Sequence, residues 1–238
     1  MLRSEVVSEP IGRSFGYDDL RPLMSMMTGD EKHSEAATST LDVIWTLYDR
    51  VLDVNPGNQA DPYRDRFLLS KGHGPMAFYA VLAAKGFIGV DDLPTFGSFE
   101  SPLGFHPDRT LIPGVEISSG SLGHGLPLAV GVSIGLGLQQ IPSRVVCLIG
   151  DGELDEGSNH EAIAVAGRFG LERLTVIVVD NDSAYLGWPG GIGSRFETEG
   201  WLARTVDGRD HDAIERSVVD SHPGRPLVVV AKVGSKRV

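Results

Sequence analysis

The sequence predicts an α/β fold in which a doubly wound, mostly parallel sheet is flanked by helices. Three runs rich in β-branched residues lack polar alternation, as is typical of strands buried on both faces: residues 144–149, 174–179 and 227–233. Apolar residues with helical spacing lie between these runs, at residues 159–169 and 211–219. Because strand and helix alternate, the strands are expected to run parallel in one sheet.

The first half of the chain adds three predicted helices. Apolar spacing indicates helices over residues 41–52 and 75–85, the second with a proline in its first turn. Residues 123–139 are apolar and glycine-rich, which favours a helix packed closely against other backbone. Residues 1–20 lack clear periodicity and are predicted to form an N-terminal arm, leaving residues 21–238 as a single domain.

Composition narrows the function classes. The chain has 238 residues, 41% of them hydrophobic, which is enough for one large α/β domain. A formal net charge of -11 disfavours binding to nucleic acid or to anionic lipid, and no apolar run is long enough to span a membrane. Cys147, the single cysteine, lies in a predicted buried strand and is expected to be inert. We therefore predict a cytoplasmic protein without disulfides.

Polar residues follow two of the predicted strands directly. Gly150-Asp151-Gly152 follows the first strand, and Asn181 closes the second. Ligands of such sheets bind at the carboxyl ends of the strands, so these residues are expected to converge. A carboxylate and an amide oxygen suit Mg²⁺, glycines allow close approach of a diphosphate, and the helix predicted to start near Ser158 points its amides at negative charge. A Gly-Asp-Gly tripeptide alone is weak evidence, because strand-to-helix turns favour it.

Five segments together resemble transketolases. Gly-Asp-Gly at residues 150–152, then a helix, then Asn181 is similar to the fingerprint of thiamine diphosphate-binding proteins. Further segments follow in the family's order: Leu-Ser-Lys-Gly-His-Gly at 69–74, Gly-Phe-His-Pro at 104–107, Gly-Ser-Leu-Gly-His-Gly at 120–125, and Gly-Asp-Gly-Glu-Leu-Asp-Glu-Gly at 150–157. The resemblance covers residues 20–235 and implies the thiamine diphosphate-binding fold.

The resemblance implies a set of site residues. Thiamine diphosphate and Mg²⁺ would be the cofactors, with the metal held by Asp151, Asn181 and the backbone carbonyl of Ser183. Residues matching cofactor-binding positions are Gly120, Ser121, Leu122, Gly150, Asp151, Gly152, Glu153 and Asn181. Catalytic positions match His33, His73 and His106, around the cofactor's reactive carbon, and Glu156, near the subunit interface. Residues 31–35 depart from the family's Ser-Gly-His-Pro-Gly pattern around His33, which leaves the substrate open.

The resemblance also implies an incomplete enzyme. A transketolase transfers a two-carbon ketol unit from a ketose or ketose phosphate to an aldose acceptor, and it needs a pyrimidine-binding domain that no segment here resembles. We expect a transketolase C-terminal subunit to supply that domain in an α₂β₂ assembly. Two alternatives stay open: another thiamine diphosphate-dependent carboligase or decarboxylase component, and an inactive cofactor-binding regulatory paralogue.

Overall fold

The computed structural model describes residues 15–29 and 35–234, and it contains the predicted doubly wound sheet. Five strands pair in the order β1-β2-β3-β5-β4, and every pair is parallel. Their bounds are β1 Arg66–Leu69, β2 Val145–Gly150, β3 Leu174–Asp180, β4 Leu202–Asp207 and β5 Leu227–Lys232. The prediction of β2, β3 and β5 is confirmed, whereas β1 and β4 were not predicted.

Eight helices connect and flank the strands within the described residues. They are α1 Leu20–Ser25, α2 Glu35–Thr38, α3 Leu41–Thr46, α4 Met76–Ala84, α5 Gly125–Leu138, α6 Gly157–Phe169, α7 Ile192–Glu197 and α8 His211–Val219. The helix predicted at 41–52 is α3 followed by a π-helical turn, Leu47–Val51. Among the described residues, none of the helices has both the length and the apolar character needed to cross a bilayer.

The end of the predicted N-terminal arm is helical. Tyr17–Asp19 forms a 3₁₀ turn that leads directly into α1. Leu20, Leu23 and Met24 lie on one face of α1 and are buried. Because three apolar residues at helical spacing pack into the core, this segment folds with the domain. Residues 1–14 of the arm lie outside the described residues.

Two apolar cores lie on opposite faces of the sheet. Alternate residues of β2 face opposite ways: Val146 and Leu148 belong to the core beneath α1, α3, α4 and α8. Val145, Cys147 and Ile149 belong to the core beneath α5, α6 and α7. Both faces are therefore covered, which explains the continuous apolar character of the central strands. Burial raises the pKa of the Cys147 thiol, which keeps it in the unreactive neutral form.

Strand register brings the functional turns to one edge. Leu69, the last residue of β1, pairs with Leu148, and Gly150, the last residue of β2, pairs with Val179. Asp180, the last residue of β3, pairs with Lys232. The turns that follow β1, β2 and β3 consequently open side by side at the carboxyl edge of the sheet.

Candidate cofactor and metal site

Close backbone contacts assemble the first part of the site. The turn after β1 lies against the segment before α5: a Cβ on Gly72 would stand 2.5 Å from the Ser119 hydroxyl and 3.0 Å from the backbone nitrogen of Gly120. A Cβ on Gly125, where α5 begins, would overlap the Cβ of Ser70. Larger residues at these two glycines would separate the loops, so the glycines allow the two segments to meet.

The buried side chain of Glu153 connects the turn after β1 with the segment before α5 through hydrogen bonds. Its carboxylate is almost fully buried, and one oxygen accepts hydrogen bonds from the Ser70 hydroxyl and from the Gly123 amide at 2.9 Å. The other oxygen faces the Gly150 amide at 3.4 Å. Burial raises the pKa of Glu153, and these hydrogen bonds counteract part of that rise. The side chain that we predicted to bind cofactor thus holds together the turns after β1 and β2 and the start of α5.

Lys71 places a positive charge near the carboxylates of Glu153 and Asp151. A Cβ on Gly150 would lie 3.3 Å from the Lys71 side chain, so the lysine packs against the turn after β2. Burial lowers the pKa of Lys71, while the carboxylates of Glu153 and Asp151 act to raise it. The sequence analysis gave Lys71 no function, although it lies inside a segment that resembles the family. Its position compensates part of the negative charge at this edge.

Asp151 lies against residues that follow β3, namely Ser183 and Ala184. Asp151 is buried, and one carboxylate oxygen accepts the amides of Ser183 at 2.6 Å and of Ala184 at 3.0 Å. The other oxygen accepts the Ser183 hydroxyl at 2.5 Å. Asp182 adopts a left-handed backbone, φ 56°, which turns the chain back toward Asp151. The side-chain oxygen of Asn181 is buried and has no hydrogen-bond partner among the described residues.

These groups fit a magnesium ion with a diphosphate. Asp151 offers a carboxylate, Asn181 an amide oxygen that bonds to nothing else described, and Ser183 a carbonyl 3.3 Å from where a Cβ on Gly152 would stand. Within the described residues, no group of three or more His, Cys, Asp or Glu side chains is arranged to hold a metal alone. Mg²⁺ takes few protein ligands and completes its shell with phosphate and water oxygens. A cavity of about 530 Å³ is lined by Asp151 together with residues of the loop after β3, but Asn181 and Ser183 do not line it.

The remaining predicted cofactor residues line the same edge. Gly120 has a left-handed backbone, φ 131°, and Ser121 and Leu122 beside it are exposed. Glu156 is exposed at the N-terminus of α6, and its stem faces Gly123, where an added Cβ would lie 2.7 Å away. The N-terminus of α6 therefore also lies next to the segment that precedes α5.

Two of the three predicted catalytic histidines lie on adjoining loops. His73 directly follows Gly72, and Gly72 packs against the backbone of Gly120. Gly120 in turn lies next to the imidazole of His106, since a Cβ on Gly120 would stand 3.2 Å from that ring. Both imidazoles are exposed at the carboxyl edge. His33 lies outside the described residues. The loops thus bring His73 and His106 to the same side of the site.

A cluster of polar side chains around the buried Asp42 was missed by the sequence analysis. Asp42 accepts hydrogen bonds from the Tyr17 hydroxyl at 2.5 Å and from Arg209 at 2.6 Å, and its other neighbour is His211 at 3.0 Å. Burial acts to raise the pKa of Asp42, but these hydrogen bonds outweigh it and lower the pKa. Burial and the contact with Asp42 raise the pKa of Tyr17 to about 12. The partners are far apart in sequence, so no local pattern could reveal them.

The comparison with known families defines the class of protein. Residues 24–233 match the family described as "Transketolase, thiamine diphosphate binding domain". The chain therefore belongs to the transketolase family and comprises its thiamine diphosphate-binding domain. A solved transketolase from Leishmania mexicana superposes with a TM-score of 0.72 at 25% identity, covering 92% of this chain and 37% of that enzyme. The chain thus spans little more than a third of that enzyme's length.

Curated relatives are similar over most of the chain. "Ferredoxin fas2" of Rhodococcoides fascians is 59% identical over 220 residues, which is 92% of this chain and 72% of that protein. A relative from Actinobacillus succinogenes, named as a subunit of apulose-4-phosphate transketolase, is 36% identical over 206 residues, which is 84% of this chain and 75% of that protein. "6-deoxy-6-sulfo-D-fructose transketolase subunit SqwG" of Clostridium sp. is 32% identical over 206 residues, which is 83% of this chain and 75% of that protein.

Proposed function

We propose that this chain is the thiamine diphosphate- and Mg²⁺-binding subunit of a two-subunit transketolase. It transfers a two-carbon ketol unit from a ketose or ketose phosphate to an aldose acceptor, and it turns over only with a partner subunit. Family membership supports the cofactor, and the relatives named as transketolase subunits support the division into two chains. The observation that favours this function most is the buried side-chain oxygen of Asn181, which has no hydrogen-bond partner among the described residues. Asn181 lies two residues before Ser183, whose amide donates to Asp151, at the edge where such sheets bind ligands.

The chain's own residues would hold the cofactors. Asp151, Asn181 and the carbonyl of Ser183 supply oxygen ligands for Mg²⁺. Gly150 and Gly152 let Lys71 and Ser183 pack closely against the turn after β2. The amides at the start of α6 would favour the negative charge of the diphosphate. Because the whole chain has a formal net charge of -11, this local arrangement must outweigh the global repulsion of an anion.

The histidines provide proton transfer at the substrate. When bound, thiamine diphosphate supplies the carbon nucleophile and the electron sink that let the bond between carbons 2 and 3 of a ketose break. The imidazoles of His73 and His106 lie exposed on adjoining loops, where they would give a proton to the substrate's carbonyl oxygen and take it back. An imidazole titrates near neutral pH and serves both directions. We propose that His33 also transfers protons at the substrate.

Exposed apolar side chains at the carboxyl edge support a protein partner. Phe105 is 59% exposed, Leu122 49% and Tyr185 94%, and all three lie on loops that adjoin the candidate site. Apolar groups collected around one site are typical of an interaction surface. We propose that a polypeptide with the pyrimidine-binding domain covers this edge in an α₂β₂ assembly and that Glu156 faces its catalytic carboxylate. The single reduced cysteine favours a cytoplasmic location.

The name of one relative raises the question of redox function. An iron–sulfur cluster is held by several ligands, most often four cysteines. This chain has one cysteine, Cys147, and it is buried in β2. The aligned residues of this chain therefore offer no cluster site, and we assign it no electron-transfer activity. No observation favours a decarboxylase or a regulatory paralogue over the transketolase.

The proposal is tested by mixing the chain with its partner. Purified chain is titrated with a candidate C-terminal partner protein at saturating thiamine diphosphate and Mg²⁺, and aldose release from a ketose is followed. We expect no turnover by either protein alone, turnover on mixing, and none when Asp151→Ala replaces the wild-type chain. Robust multiple turnover by the chain alone would overturn the two-subunit interpretation, and Glu156 would then be the first carboxylate to mutate.

A further inference from the structure

The loop between β3 and α7, residues 181–191, is held in place without being buried. Tyr185 is 94% exposed and Leu186 73% exposed, so apolar burial does not fix this stretch. Instead, four consecutive backbone amides donate to two carboxylates. The first two reach Asp151, and the next two, of Tyr185 and Leu186, reach one oxygen of Asp155 at 3.3 Å each.

Trp188 ties the far end of this loop to two helices. The guanidinium carbon of Arg195, on α7, lies 5.1 Å from the centre of the Trp188 ring. The imidazole of His160, on α6, lies 6.0 Å from the same ring at 48°. Arg195 is only 6% exposed, and two of its nitrogens, Nε and Nη2, have no hydrogen-bond partner among the described residues.

Burying this guanidinium requires compensation, and the loop region supplies it. A buried charge with unpaired donors is costly. Contact with an aromatic face offsets about 2 kcal/mol when the cation is desolvated. Burial lowers the pKa of Arg195, and the carboxylate of Asp155 acts in the opposite direction. The groups that stabilise the buried Arg195 are therefore the two groups that also hold the loop, Trp188 and Asp155.

We infer that Arg195 is a positioning residue for the metal site, because through Trp188 and Asp155 it fixes the loop that presents Asn181 and Ser183. The inference rests on the proposed function insofar as these two residues serve Mg²⁺. Among the described residues, no hydrogen bond or ion pair joins Arg195 to Asp151, Asn181 or Ser183. Its effect on cofactor affinity is consequently indirect and passes through the loop.

Two measurements test this inference on variants that change either Arg195 or Trp188, the two partners of the contact. Amide hydrogen exchange of the loop is measured by mass spectrometry on the full chain without ligand. Affinity for magnesium thiamine diphosphate is measured by calorimetry on the chain assembled with its partner. The variants are Arg195→Met, Arg195→Lys, Trp188→Ala and the double variant with methionine and alanine. Arg204→Met is the matched control, since that guanidinium donates instead to the carbonyl of Ser217 in α8 and to the carbonyls of Asp220 and Ser221 after it.

We expect Arg195→Met and Trp188→Ala each to raise loop exchange at least about tenfold and to weaken cofactor affinity roughly 10- to 100-fold, the size seen when groups behind metal ligands are removed. Arg195→Lys keeps the positive charge near Asp155 but loses the contact of the planar guanidinium with Trp188. Its loop exchange and its cofactor affinity should therefore lie between those of wild type and those of Arg195→Met. The double variant should be no worse than either single variant, because both disrupt one contact. Arg204→Met should lower stability and leave both readouts unchanged.

Several outcomes would overturn the inference. One is that Arg195→Met keeps the loop exchange and the cofactor affinity of wild type. Another is that the effects of the two substitutions add fully in the double variant. A third is that Arg204→Met changes both readouts as much as Arg195→Met does. If Arg195→Met does not fold, Trp188→Ala decides, since that side chain lies in an exposed loop. A wild-type assembly without affinity for magnesium thiamine diphosphate would refute the proposed function instead, and the exchange measurement would still decide whether Arg195 holds the loop.

Discussion

Removing the carboxylate of Glu153 should destabilise the fold through the loops of the site. Glu153→Ala deletes the acceptor of the Ser70 hydroxyl and of the Gly123 and Gly150 amides, all of them buried. The Gly150 contact is long at 3.4 Å, so two full donors lose their acceptor. Each buried donor left unpaired costs about 1–3 kcal/mol. Because deletion also relieves the burial of a carboxyl group, we expect a net loss of about 3 kcal/mol.

The assay is thermal unfolding of the full chain. For a domain of this size, a loss of about 3 kcal/mol lowers the melting temperature by roughly 6–12 °C. Glu153→Gln keeps one acceptor oxygen but brings an NH₂ group to a place where amides donate, so it should fall between wild type and alanine. Glu161→Ala, an exposed glutamate on α6, is the control and should change stability by less than about 0.5 kcal/mol. A melting temperature for Glu153→Ala within about 1 °C of wild type would refute the reasoning.

Three further predictions concern acid stability and catalysis. Because the folded pKa of Asp42 is lowered, its stabilisation is present above the unfolded pKa of about 4 and is lost as pH falls through the folded pKa. Asp42→Asn should therefore cost roughly 3 kcal/mol at neutral pH, with the difference from wild type shrinking below about pH 4 in unfolding titrations; a constant difference would contradict this. His73→Ala and His106→Ala should keep cofactor affinity and lower turnover roughly 10²–10⁴-fold in steady-state assays, with His222→Ala unchanged. If all three behave alike, the assignment of these histidines is wrong. Asp151→Ala should lower the affinity for thiamine diphosphate more than about 100-fold in calorimetry while circular dichroism shows an intact fold; wild-type affinity would refute its part in the site.

The elements that sequence predicted best are those whose pattern is local and continuous. β2 and β3 are buried on both faces, so their runs of β-branched residues are unbroken and their ends were predicted to within a residue. The helix at residues 211–219 has the predicted bounds. β1 has four residues, too few for a clear pattern, and β4 is an edge strand whose residues are half-exposed. Short or half-exposed strands lack the signal that identified the others.

The candidate site divides in the same way. The meeting of Asp151 with the residues after β3 followed from the rule for carboxyl ends of parallel strands. The hydrogen bond between Ser70 and Glu153 joins residues 83 positions apart, and that between Asp42 and His211 joins residues 169 apart. Side-chain partnerships over such distances depend on packing of the whole chain, and no motif spacing encodes them. The resemblance therefore indicated the candidate site residues, whereas the hydrogen bonds by which Glu153 joins three turns became apparent only in the structure.

Asn181 offers the most direct test of the central claim, that Asp151 and Asn181 bind the cofactor's metal. Its buried side-chain oxygen bonds to nothing described in the chain, so Asn181→Ala removes no described hydrogen bond to that oxygen and should leave the melting temperature within a few degrees of wild type. If that oxygen ligates Mg²⁺, the same variant should lower the affinity for magnesium thiamine diphosphate more than about 100-fold. The measurement is a calorimetric titration of the assembled enzyme beside a thermal melt. Wild-type affinity in Asn181→Ala would contradict the account.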